Sequence, residues 1–592
     1  MKVLRSLGRI QYLGIALTLF AGLIVFQMIR IQTSAHAQNL DKWASNYDYQ
    51  VTTIQSERGY IYDRWGNLLA GNKKVYELGV ELQYVVDPST IATTLASIVG
   101  ADYNTVYTAA STPFVEGQSV YVTLADFVDS DKIAQIEALK KKYNEANPNG
   151  ADPDKPSLLG LTWTSHLQRI YPENDLASNI LGFYAYKDRE NGTGYYGVEE
   201  KYNSLLAGIK KTILIPNDPY DLQSIPSAPA GASLVLTIDR EIQRSTEKIL
   251  DDAVKSSGAV NGTIIVMNPK NGEILAMAST PRMNLNEYWN YSSIYTDGVT
   301  FNKAIGQVYE PGSVFKILTM ASALDTGTVT PDTPFNDTGI FNYGGWNIYN
   351  WDRGAWGPQT MVGCMQHSLN VCLAWVASQV GSTKFYSYLE KFNIGHRTNI
   401  DLAGEEVYPL SEPGDPMWYD VNLATNSFGQ GVAVTPIQMV MAASALANDG
   451  KMVAPHVLKA YIEDGKQYDT STQIVGMPIS AKTAETLTNM LFTSLQQESS
   501  DALVEGYSVA GKTGTAEIAV NGEYSSAQTN ASFIGWGPVD DPQFLVYVWL
   551  EKPSSSIWGS VVAAPVFSDE VKQLVVLMNI PPDDVRKSLQ AK

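Results

Sequence analysis

The stretch YEPGSVFKILTM, residues 309–320, places Ser313 three residues before Lys316 and directly after a Pro-Gly pair. The Pro-Gly pair can turn the chain, and the apolar residues that follow predict a helix beginning near Ser313. Residues three apart share a helix face, so the Lys316 amine can point at the Ser313 hydroxyl. Serine is also common at helix N-termini, and S-x-x-K alone indicates catalysis only weakly.

Two further polar motifs follow, SLN at residues 368–370 and KTGT at residues 512–515. Three such motifs in this order are typical of enzymes that form an acyl-serine. Enclosure and the charge of Lys512 would lower the pKa of Lys316, which could then accept the serine proton as a neutral amine. The helix N-terminus offers N–H groups to an oxyanion. We therefore predict that Ser313 is the nucleophile and Lys316 its base.

The KTGT motif also predicts an anion site. A glycine in a strand weakens packing, and close approach of a ligand to the backbone is one reason to place Gly514 there. Lys512, Thr513 and Thr515 would then line the site that holds the anion.

Each motif also has an ordinary structural interpretation. SLN could be a helix cap, and KTGT could be a solvated turn. His367 beside Ser368 suggests a Ser/His pair, but adjacent residues rarely converge and no Asp is placed to orient the ring. The aromatic stretch GGWNIYNWDRGAW, residues 344–356, favours core and groove lining over a cofactor site, and a groove for an extended peptide would use such residues too.

Composition narrows the function classes. The chain has 592 residues, 44% of them hydrophobic, and a formal charge of -19, so a globular protein is expected and nucleic acid is an unfavourable partner. The five histidines form no metal-binding pattern, and we expect neither a metal nor another cofactor. Cys364 and Cys372 would lie about 12 Å apart on a continuous helix, so we expect two buried free thiols.

The N-terminus predicts a membrane anchor. The apolar run Tyr12–Ile29 follows Lys2, Arg5 and Arg9 and has the length of a spanning helix with a cytoplasmic basic flank. The alternative is a cleaved signal peptide, with an A-x-A site at residues 35–37. We predict a tail over residues 1–9, an anchor over 10–31 and an extracytoplasmic remainder.

Patterns along the chain predict an α+β fold. SERGYIYDRWGNLLAG, residues 56–71, is typical of a β-hairpin, and the small-residue linker 225–232 separates a pedestal domain, 32–228, from a domain over 229–592. The later domain begins with two strands around the turn at residues 268–272 and ends with three strand candidates, residues 511–520, 531–539 and 544–552. Strands at both ends that enclose helices predict an antiparallel sheet flanked by helices.

With these motifs, the chain resembles a class B penicillin-binding protein, a peptidoglycan D,D-transpeptidase. RGYIYDRWGNLLA and GYYGVEEKYNSLLAG resemble signatures of the family's pedestal, and SLVLTIDREIQ, NIDLAGE and NSFGQGVAVTPIQM resemble landmarks of its catalytic domain. The ending VVAAPVFSDEVKQLVVLMNIPPDD is more similar to division-type than to elongation-type members. Leu369 departs from the pattern, because members more often carry a small polar residue there.

The resemblance implies a role for each motif residue. Ser313 would attack the penultimate D-Ala carbonyl of a stem peptide with Lys316 as base, and Ser368 and Lys512 would relay protons to the departing D-Ala nitrogen. The substrate-binding residues would be Asn370, Thr513, Gly514 and Thr515, with the oxyanion held by the N–H groups of Ser313 and Thr515. β-Lactams would trap Ser313, and a glycosyltransferase and other division or elongation membrane proteins are the expected partners. A D,D-carboxypeptidase, a β-lactamase, an elongation-type enzyme and a non-catalytic scaffold or penicillin sensor remain alternatives at this point.

Overall fold

The computed structural model describes residues 9–34, 49–54, 56–118, 120–187, 191–209, 211–216, 228–296, 298–520 and 523–590. The predicted tail up to residue 8, the A-x-A site and residues 225–227 of the predicted linker lie outside these ranges. The backbone divides into two compact units, residues 1–57 with 208–231 and residues 58–207 with 232–592. The predicted pedestal and catalytic domain boundaries stay a prediction.

The elements are numbered in chain order. The helices are α1 (Arg9–Gln32), α2 (Pro88–Ile98), α3 (Tyr103–Ala110), α4 (Ser130–Ala146), α5 (Ser178–Leu181), α6 (Gly197–Lys201), α7 (Asn203–Ala207), α8 (Arg240–Ser257), α9 (Tyr291–Ile294), α10 (Lys303–Gly306), α11 (Lys316–Asp325), α12 (Met361–Gln366), α13 (Asn370–Val380), α14 (Ser382–Lys391), α15 (Asp420–Asn426), α16 (Pro436–Ser444), α17 (Ala481–Glu498), α18 (Gly559–Val562), α19 (Ala564–Leu577) and α20 (Asp583–Gln590). The strands are β1 (Tyr49–Ile54), β2 (Ile61–Tyr62), β3 (Leu68–Glu81), β4 (Tyr121–Asp129), β5 (Leu161–Ile170), β6 (Phe183–Tyr186), β7 (Gly192–Tyr195), β8 (Lys211–Pro216), β9 (Ser233–Leu236), β10 (Asn261–Met267), β11 (Ile274–Ser279), β12 (Phe335–Asp337), β13 (Ile340–Tyr343), β14 (Trp346–Tyr349), β15 (Gly357–Gln359), β16 (Met452–Val453), β17 (Leu458–Glu463), β18 (Lys466–Asp469), β19 (Ile474–Gly476), β20 (Ala510–Val520), β21 (Glu523–Gly537) and β22 (Phe544–Glu551).

The first unit contains the apolar N-terminal helix. Within the described residues, Tyr12–Gln32 is the one helical stretch long and apolar enough to cross a membrane. It belongs to α1 and overlaps the predicted anchor over residues 10–31, whose crossing of a membrane stays a prediction. The same unit holds a two-stranded antiparallel sheet of β1 and β8.

The second unit is built on an antiparallel sheet of five strands in the order β11-β10-β22-β21-β20. Both strands of the predicted first pair and all three predicted C-terminal strands belong to it. The α+β fold with an antiparallel sheet flanked by helices is therefore confirmed.

Helices cover both faces of this sheet because its strands are apolar on both sides. Ile264 and Val266 of β10 pack in a cluster with α8 and α19, whereas Ile265 and Met267 pack in a cluster with α11 and α16. Successive strand residues point to opposite faces, so an unbroken apolar run indicates burial on both. β20 is the edge strand, and it lies against the turn that carries Ser313.

A second, seven-stranded sheet runs across the predicted domain boundary. Its order is β18-β17-β9-β2-β3-β4, with β5 paired to β3. The predicted hairpin is confirmed as β2 and β3, and Asp63 closes its turn by accepting hydrogen bonds from the backbone N–H groups of Trp65 and Asn67. β2 also pairs in parallel with β9, which joins the pedestal segment to the chain after the linker.

The prediction of two free cysteines is wrong. Cys364 and Cys372 form a disulfide with a Cα–Cα distance of 6.0 Å. The distance estimate assumed one continuous helix, but α12 ends at Gln366 and α13 begins at Asn370. Ser368 between them has a left-handed backbone with φ +54°, and the chain turns back there. Both cysteines are buried, as expected.

Candidate active site

The first motif lies on a tight turn at the start of α11. Gly312–Phe315 form a 3-10 turn, and the α-helix proper begins at Lys316, slightly later than the sequence predicted. Gly312 has φ +59°, and a Cβ there would lie 2.7 Å from the backbone oxygen of Thr515. The Pro-Gly pair therefore turns the chain and also lets it pack directly against the third motif.

Lys316 is fully buried and points at the second motif. Its Nζ donates hydrogen bonds to Ser368 O at 2.6 Å and Asn370 Oδ1 at 2.7 Å, and lies 3.1 Å from Ser368 Oγ. Burial, and next the charge of Lys512, hold the pKa of Lys316 well below its usual value. The lowered pKa expected from the sequence is thus present. A hydrogen bond between Lys316 and Ser313 Oγ stays a prediction.

The second motif occupies the junction between α12 and α13. The left-handed conformation of Ser368 directs its hydroxyl and carbonyl oxygens to Lys316, and Asn370 opens α13. The Asn370 amide donates to the backbone oxygen of Tyr349 at 3.2 Å and accepts from Lys316, so both ends of the side chain are held. Leu369 is fully buried in the core, which explains how an apolar residue is tolerated at the centre of the motif.

The third motif lies on β20, in register with Ile534 to Ala531 of β21. Lys512 is buried, and its Nζ donates to Thr513 Oγ1 at 3.1 Å and to Thr513 O at 3.3 Å. Burial lowers the pKa of Lys512 to about 8, although the carboxylate of Glu498 acts in the opposite direction. Thr513 and Thr515 are only partly buried.

Gly514 has a packing reason that the sequence did not reveal. A Cβ there would lie 2.2 Å from Ser532 Oγ and 2.9 Å from Val314 Cγ1. The bare backbone therefore lets β20 lie against the turn that carries Ser313. Close approach of a ligand to Gly514 stays a prediction.

The structure thus brings the three motifs together. Lys316 contacts both polar residues of the second motif and is electrostatically coupled to Lys512, and β20 packs on the Ser313 turn. The remaining Ser/His interpretation is not supported by the contacts of His367. Its ring stacks on Trp356 with centroids 4.2 Å apart, and burial lowers its pKa.

Comparison with known proteins agrees with this arrangement. Residues 262–572 match the penicillin binding protein transpeptidase domain, and residues 53–220 match the penicillin-binding protein dimerisation domain. The chain belongs to the penicillin-binding protein transpeptidase family.

Alignments with individual relatives cover about nine tenths of this transpeptidase. Stage V sporulation protein D of Bacillus subtilis is 31% identical over 559 residues, which cover 92% of this chain and 81% of that protein. Peptidoglycan D,D-transpeptidase FtsI of Escherichia coli is 26% identical and covers 90% of this chain and 86% of its own length. The crystal structure of penicillin binding protein 2X from Streptococcus thermophilus superposes with a TM-score of 0.74 at 23% identity, over 89% of this chain and 80% of that one, and so has the same fold. The predicted class B penicillin-binding protein, with division-type members favoured, is confirmed, and so is the serine-type transpeptidase class.

Three residues near the motifs of this transpeptidase were not predicted as functional. Glu498 ends α17, and its Oε1 lies 4.0 Å from His367 Nδ1. Trp351 donates to the backbone oxygen of His367 at 3.1 Å, and its ring meets Trp558 edge to face with centroids 5.2 Å apart. Trp351 lies in the aromatic stretch whose groove-lining role the sequence favoured, but nothing local to Glu498 or Trp558 indicated their position.

The two tryptophans connect the second and third motifs. Trp351 is bound to the residue before Ser368, while Gly559, which follows Trp558, donates to Thr515 Oγ1 at 3.1 Å. The pair therefore bridges the helical and the sheet side of the site. Trp351 is 49% exposed, so the bridge presents an aromatic face to solvent beside the threonines of β20.

Proposed function

We propose that this transpeptidase is a membrane-anchored peptidoglycan D,D-transpeptidase whose nucleophile is Ser313 and whose general base is Lys316. The buried amine of Lys316, bonded to Ser368 and Asn370 and depressed in pKa, is the observation that carries the assignment. A neutral amine has two N–H bonds, which match Ser368 O and Asn370 Oδ1, the nearest two of the three oxygens around the Lys316 Nζ. Its lone pair is then left to accept a proton from a serine hydroxyl.

In the proposed mechanism, acylation uses the groups that these contacts position. Ser313 Oγ attacks the penultimate D-Ala carbonyl and transfers its proton to Lys316, and the N–H groups of Ser313 and Thr515 stabilise the oxyanion. The C–N bond then breaks, and the departing D-Ala nitrogen takes a proton relayed through Ser368 and Lys512. An amine of a neighbouring stem peptide attacks the acyl-serine, which forms the cross-link and frees Ser313.

The remaining site residues hold the donor peptide. Asn370 is fixed from both sides and would hydrogen-bond the substrate amide. The partly open hydroxyls of Thr513 and Thr515, beside Lys512 and Gly514, would bind the terminal carboxylate. β-Lactams, as mimics of this peptide end, would acylate the same serine.

The cellular setting belongs to the same proposal. Residues 1–9 remain in the cytoplasm, α1 crosses the membrane once, and the chain beyond it acts outside on septal wall with a glycosyltransferase and other division proteins. The basic residues before the apolar run favour this orientation. The relationship to FtsI of Escherichia coli supports the septal role.

The decisive experiment is covalent labelling with a fluorescent penicillin, followed by intact-mass detection and mapping of the adduct. Ser313→Ala should abolish labelling, because the nucleophile is gone. Ser322→Ala is the matched control, since Ser322 lies on α11 and its hydroxyl only bonds Leu318 O. Unchanged labelling of Ser313→Ala refutes the proposal. Release of the acyl group to an added D-amino acid rather than to water separates a transpeptidase from a D,D-carboxypeptidase.

A further inference from the structure

The loop between β14 and β15, residues 350–356, is fixed against the second motif. At its start, the backbone oxygen of Tyr349 accepts a hydrogen bond from the Asn370 amide at 3.2 Å. Within the loop, the indole of Trp351 donates to the backbone oxygen of His367 at 3.1 Å. The loop therefore lies directly beside Asn370, the residue that would hydrogen-bond the substrate amide.

Arg353 extends from this loop onto the ring of Tyr349. Its guanidinium carbon lies 4.5 Å from the ring centroid, which is a cation–π contact, and the residue is exposed. Tyr349 is the same residue whose backbone oxygen binds Asn370. Two direct contacts thus connect the guanidinium to the second motif, with one tyrosine between them.

The backbone of Arg353 is held in a conformation that most residues avoid. Its φ is +59°, in the left-handed region. The N–H of Arg353 donates to Asn350 O at 3.1 Å, and the Asn350 side chain donates to Gly354 O at 3.1 Å. Asn350 is buried, and its Oδ1 accepts from the N–H of Val371 in α13 at 3.2 Å. The loop therefore fixes this arginine relative to the helix that Asn370 opens.

Arg353 is an isolated cation in this part of the chain. Between Lys316 and Lys384 the sequence contains no other lysine or arginine. The neighbouring carboxylate of Asp352 accepts a hydrogen bond from the Trp356 indole at 3.1 Å. Within the described ranges of the chain, the Arg353 side chain forms no ion pair. Its guanidinium therefore keeps its N–H donors for a group outside the chain, and pairs of these donors match the two oxygens of a carboxylate.

We propose that Arg353 is a specificity-determining residue that binds a carboxylate on the donor stem peptide, upstream of the D-Ala carbonyl that Ser313 attacks. The proposal rests on the proposed function and names the class of donor that the site selects. The terminal carboxylate of the donor is assigned to the threonines of β20, and the preceding amide to Asn370. Arg353 lies over the ring next to Asn370, so its guanidinium meets the part of the peptide that precedes the reacting carbonyl.

The surroundings of Arg353 suit an anionic peptide. The chain carries a formal charge of -19, which repels an anion, so a fixed cation beside the site counteracts that repulsion locally. Contact with the Tyr349 ring restrains the guanidinium before the ligand arrives, which reduces the side-chain entropy lost on binding. Trp351, two residues earlier and 49% exposed, offers an aromatic surface to the apolar part of the same peptide.

The test compares acylation of the full-length protein by benzylpenicillin and by carbenicillin, with the rates followed by intact mass. The two compounds differ by one carboxylate on the side chain that takes the place of the upstream peptide. In Arg353→Gln the ratio of the carbenicillin rate to the benzylpenicillin rate should fall by about 3–10-fold, because the counter-charge is removed. Arg353→Lys, which keeps the charge but loses the paired donors, should give an intermediate ratio. Arg397→Gln removes the same charge at another exposed position and is the matched control.

The outcomes separate this inference from the proposed function. A natural ratio in Arg353→Gln overturns the role of Arg353, whether both rates stay natural or fall together as they would after misfolding. An equal fall of the ratio in Arg397→Gln also overturns it, because net charge alone would then explain the effect. Ser313→Ala in the same assay reports on the proposed function. Persistent acylation of that variant refutes the function, whereas its loss together with a natural ratio in Arg353→Gln refutes this inference alone.

Discussion

The second unit contains two clusters of buried ionisable side chains. One cluster combines basic and acidic groups, and the other consists of two basic groups. The arginine–glutamate cluster consists of Arg58, Arg169 and Glu199, and the lysine pair consists of Lys316 and Lys512. Both lie almost entirely out of water. They differ in whether each charge has a partner.

Each member of the arginine–glutamate cluster has a counter-charge at hydrogen-bonding distance, because both arginines bind the carboxylate of Glu199. The carboxylate of Glu199 accepts hydrogen bonds from Nε of Arg58 and Nε of Arg169 at 2.8 Å, from Nη2 of Arg58 at 2.5 Å and from the Tyr171 hydroxyl at 3.1 Å. Burial alone would raise the pKa of Glu199, but Arg169 and Arg58 outweigh it and hold the pKa below its usual value. The carboxylate of Glu199 therefore stays charged, and its bonds tie together the pedestal signatures around residues 58 and 199.

Of the residues that the structure describes, the partly exposed Glu498 is the carboxylate whose charge acts on the lysine pair, through Lys512. Burial lowers the pKa of both amines, and the hydrogen bonds of Lys316 go to neutral oxygens. An amine without a counter-ion gives up its proton readily, which suits a base but adds nothing to stability. The two clusters show that a hydrogen-bonded counter-charge keeps a buried group ionised, whereas burial without one favours the neutral form of an amine.

The largest expected effect comes from Lys316→Met, which removes the amine but keeps an apolar chain of similar length. Acylation by a fluorescent penicillin should slow by about 10²–10⁴-fold, because the base is lost. The free energy of unfolding, measured in urea, should change by only about 1–2 kcal/mol. The variant loses the hydrogen bonds of Lys316, but it no longer has to bury a polar amine, and the two effects offset each other. Labelling at the natural rate would contradict the role of Lys316 as base. A large fall in the free energy of unfolding would mean that the lysine pair stabilises the fold as the arginine–glutamate cluster does.

Glu199→Gln should show the reverse pattern. Two guanidinium groups would remain buried without a counter-charge, and the free energy of unfolding should fall by about 3–5 kcal/mol. Urea unfolding measures this loss, with Glu137→Gln on the exposed face of α4 as the control. At a temperature where the variant is folded, its penicillin acylation should be close to natural. A stability equal to that of the control would mean that the cluster is not what holds these segments together.

Glu570 sharpens the comparison, because it is a buried carboxyl whose bond comes from a neutral hydroxyl, that of Thr246. Burial raises the pKa of Glu570 to about 7. At pH values below the ordinary carboxyl pKa, Glu570 is protonated in both the folded and the unfolded chain, so its burial does not lower the free energy of unfolding through ionisation. Between there and pH 7 the unfolded chain ionises first, so the free energy of unfolding should fall as pH rises, by about 3 kcal/mol at most.

Glu570→Gln should remove this dependence. The stability difference between the variant and the natural protein should grow in the variant's favour from pH 5 to pH 7, as followed by urea unfolding at each pH. Asp569→Asn, at an exposed neighbouring position, controls for the change of net charge. Parallel pH profiles for the natural protein and Glu570→Gln would show that Glu570 ionises normally in the fold.

Local patterns predicted the parts of the fold that depend on neighbouring residues. The apolar run in α1, the hairpin closed by Asp63 and the alternating faces of β10 are each encoded within a few positions. The three motifs are recognisable in the sequence for the same reason, since each motif is short and keeps its own local geometry, and the catalytic roles of their residues stay a prediction. The order of the three motifs along the chain indicated an acyl-serine enzyme, which no single motif indicates by itself.

Features that depend on distant segments were missed. The disulfide needs the left-handed turn at Ser368, which no helix-period argument anticipates. The parallel pairing of β2 with β9 joins residues 61 and 234, and the position of Glu498 depends on how α17 packs against β20. The packing of Gly514 against Ser532 and Val314 was missed because both residues are remote in sequence, and close approach of a ligand to Gly514 stays a prediction.

The three places where the second unit joins the first have a mechanical consequence. The chain passes between the two units three times, next to residues 58, 207 and 232. Inside the second unit these three ends are bonded to one another, through Gly59 N to Leu206 O, Ala232 N to Leu205 O and Leu234 N to Tyr60 O. Tension arriving along any one of them is therefore shared with the other two, and it loads several backbone bonds at once instead of peeling a single strand from its end.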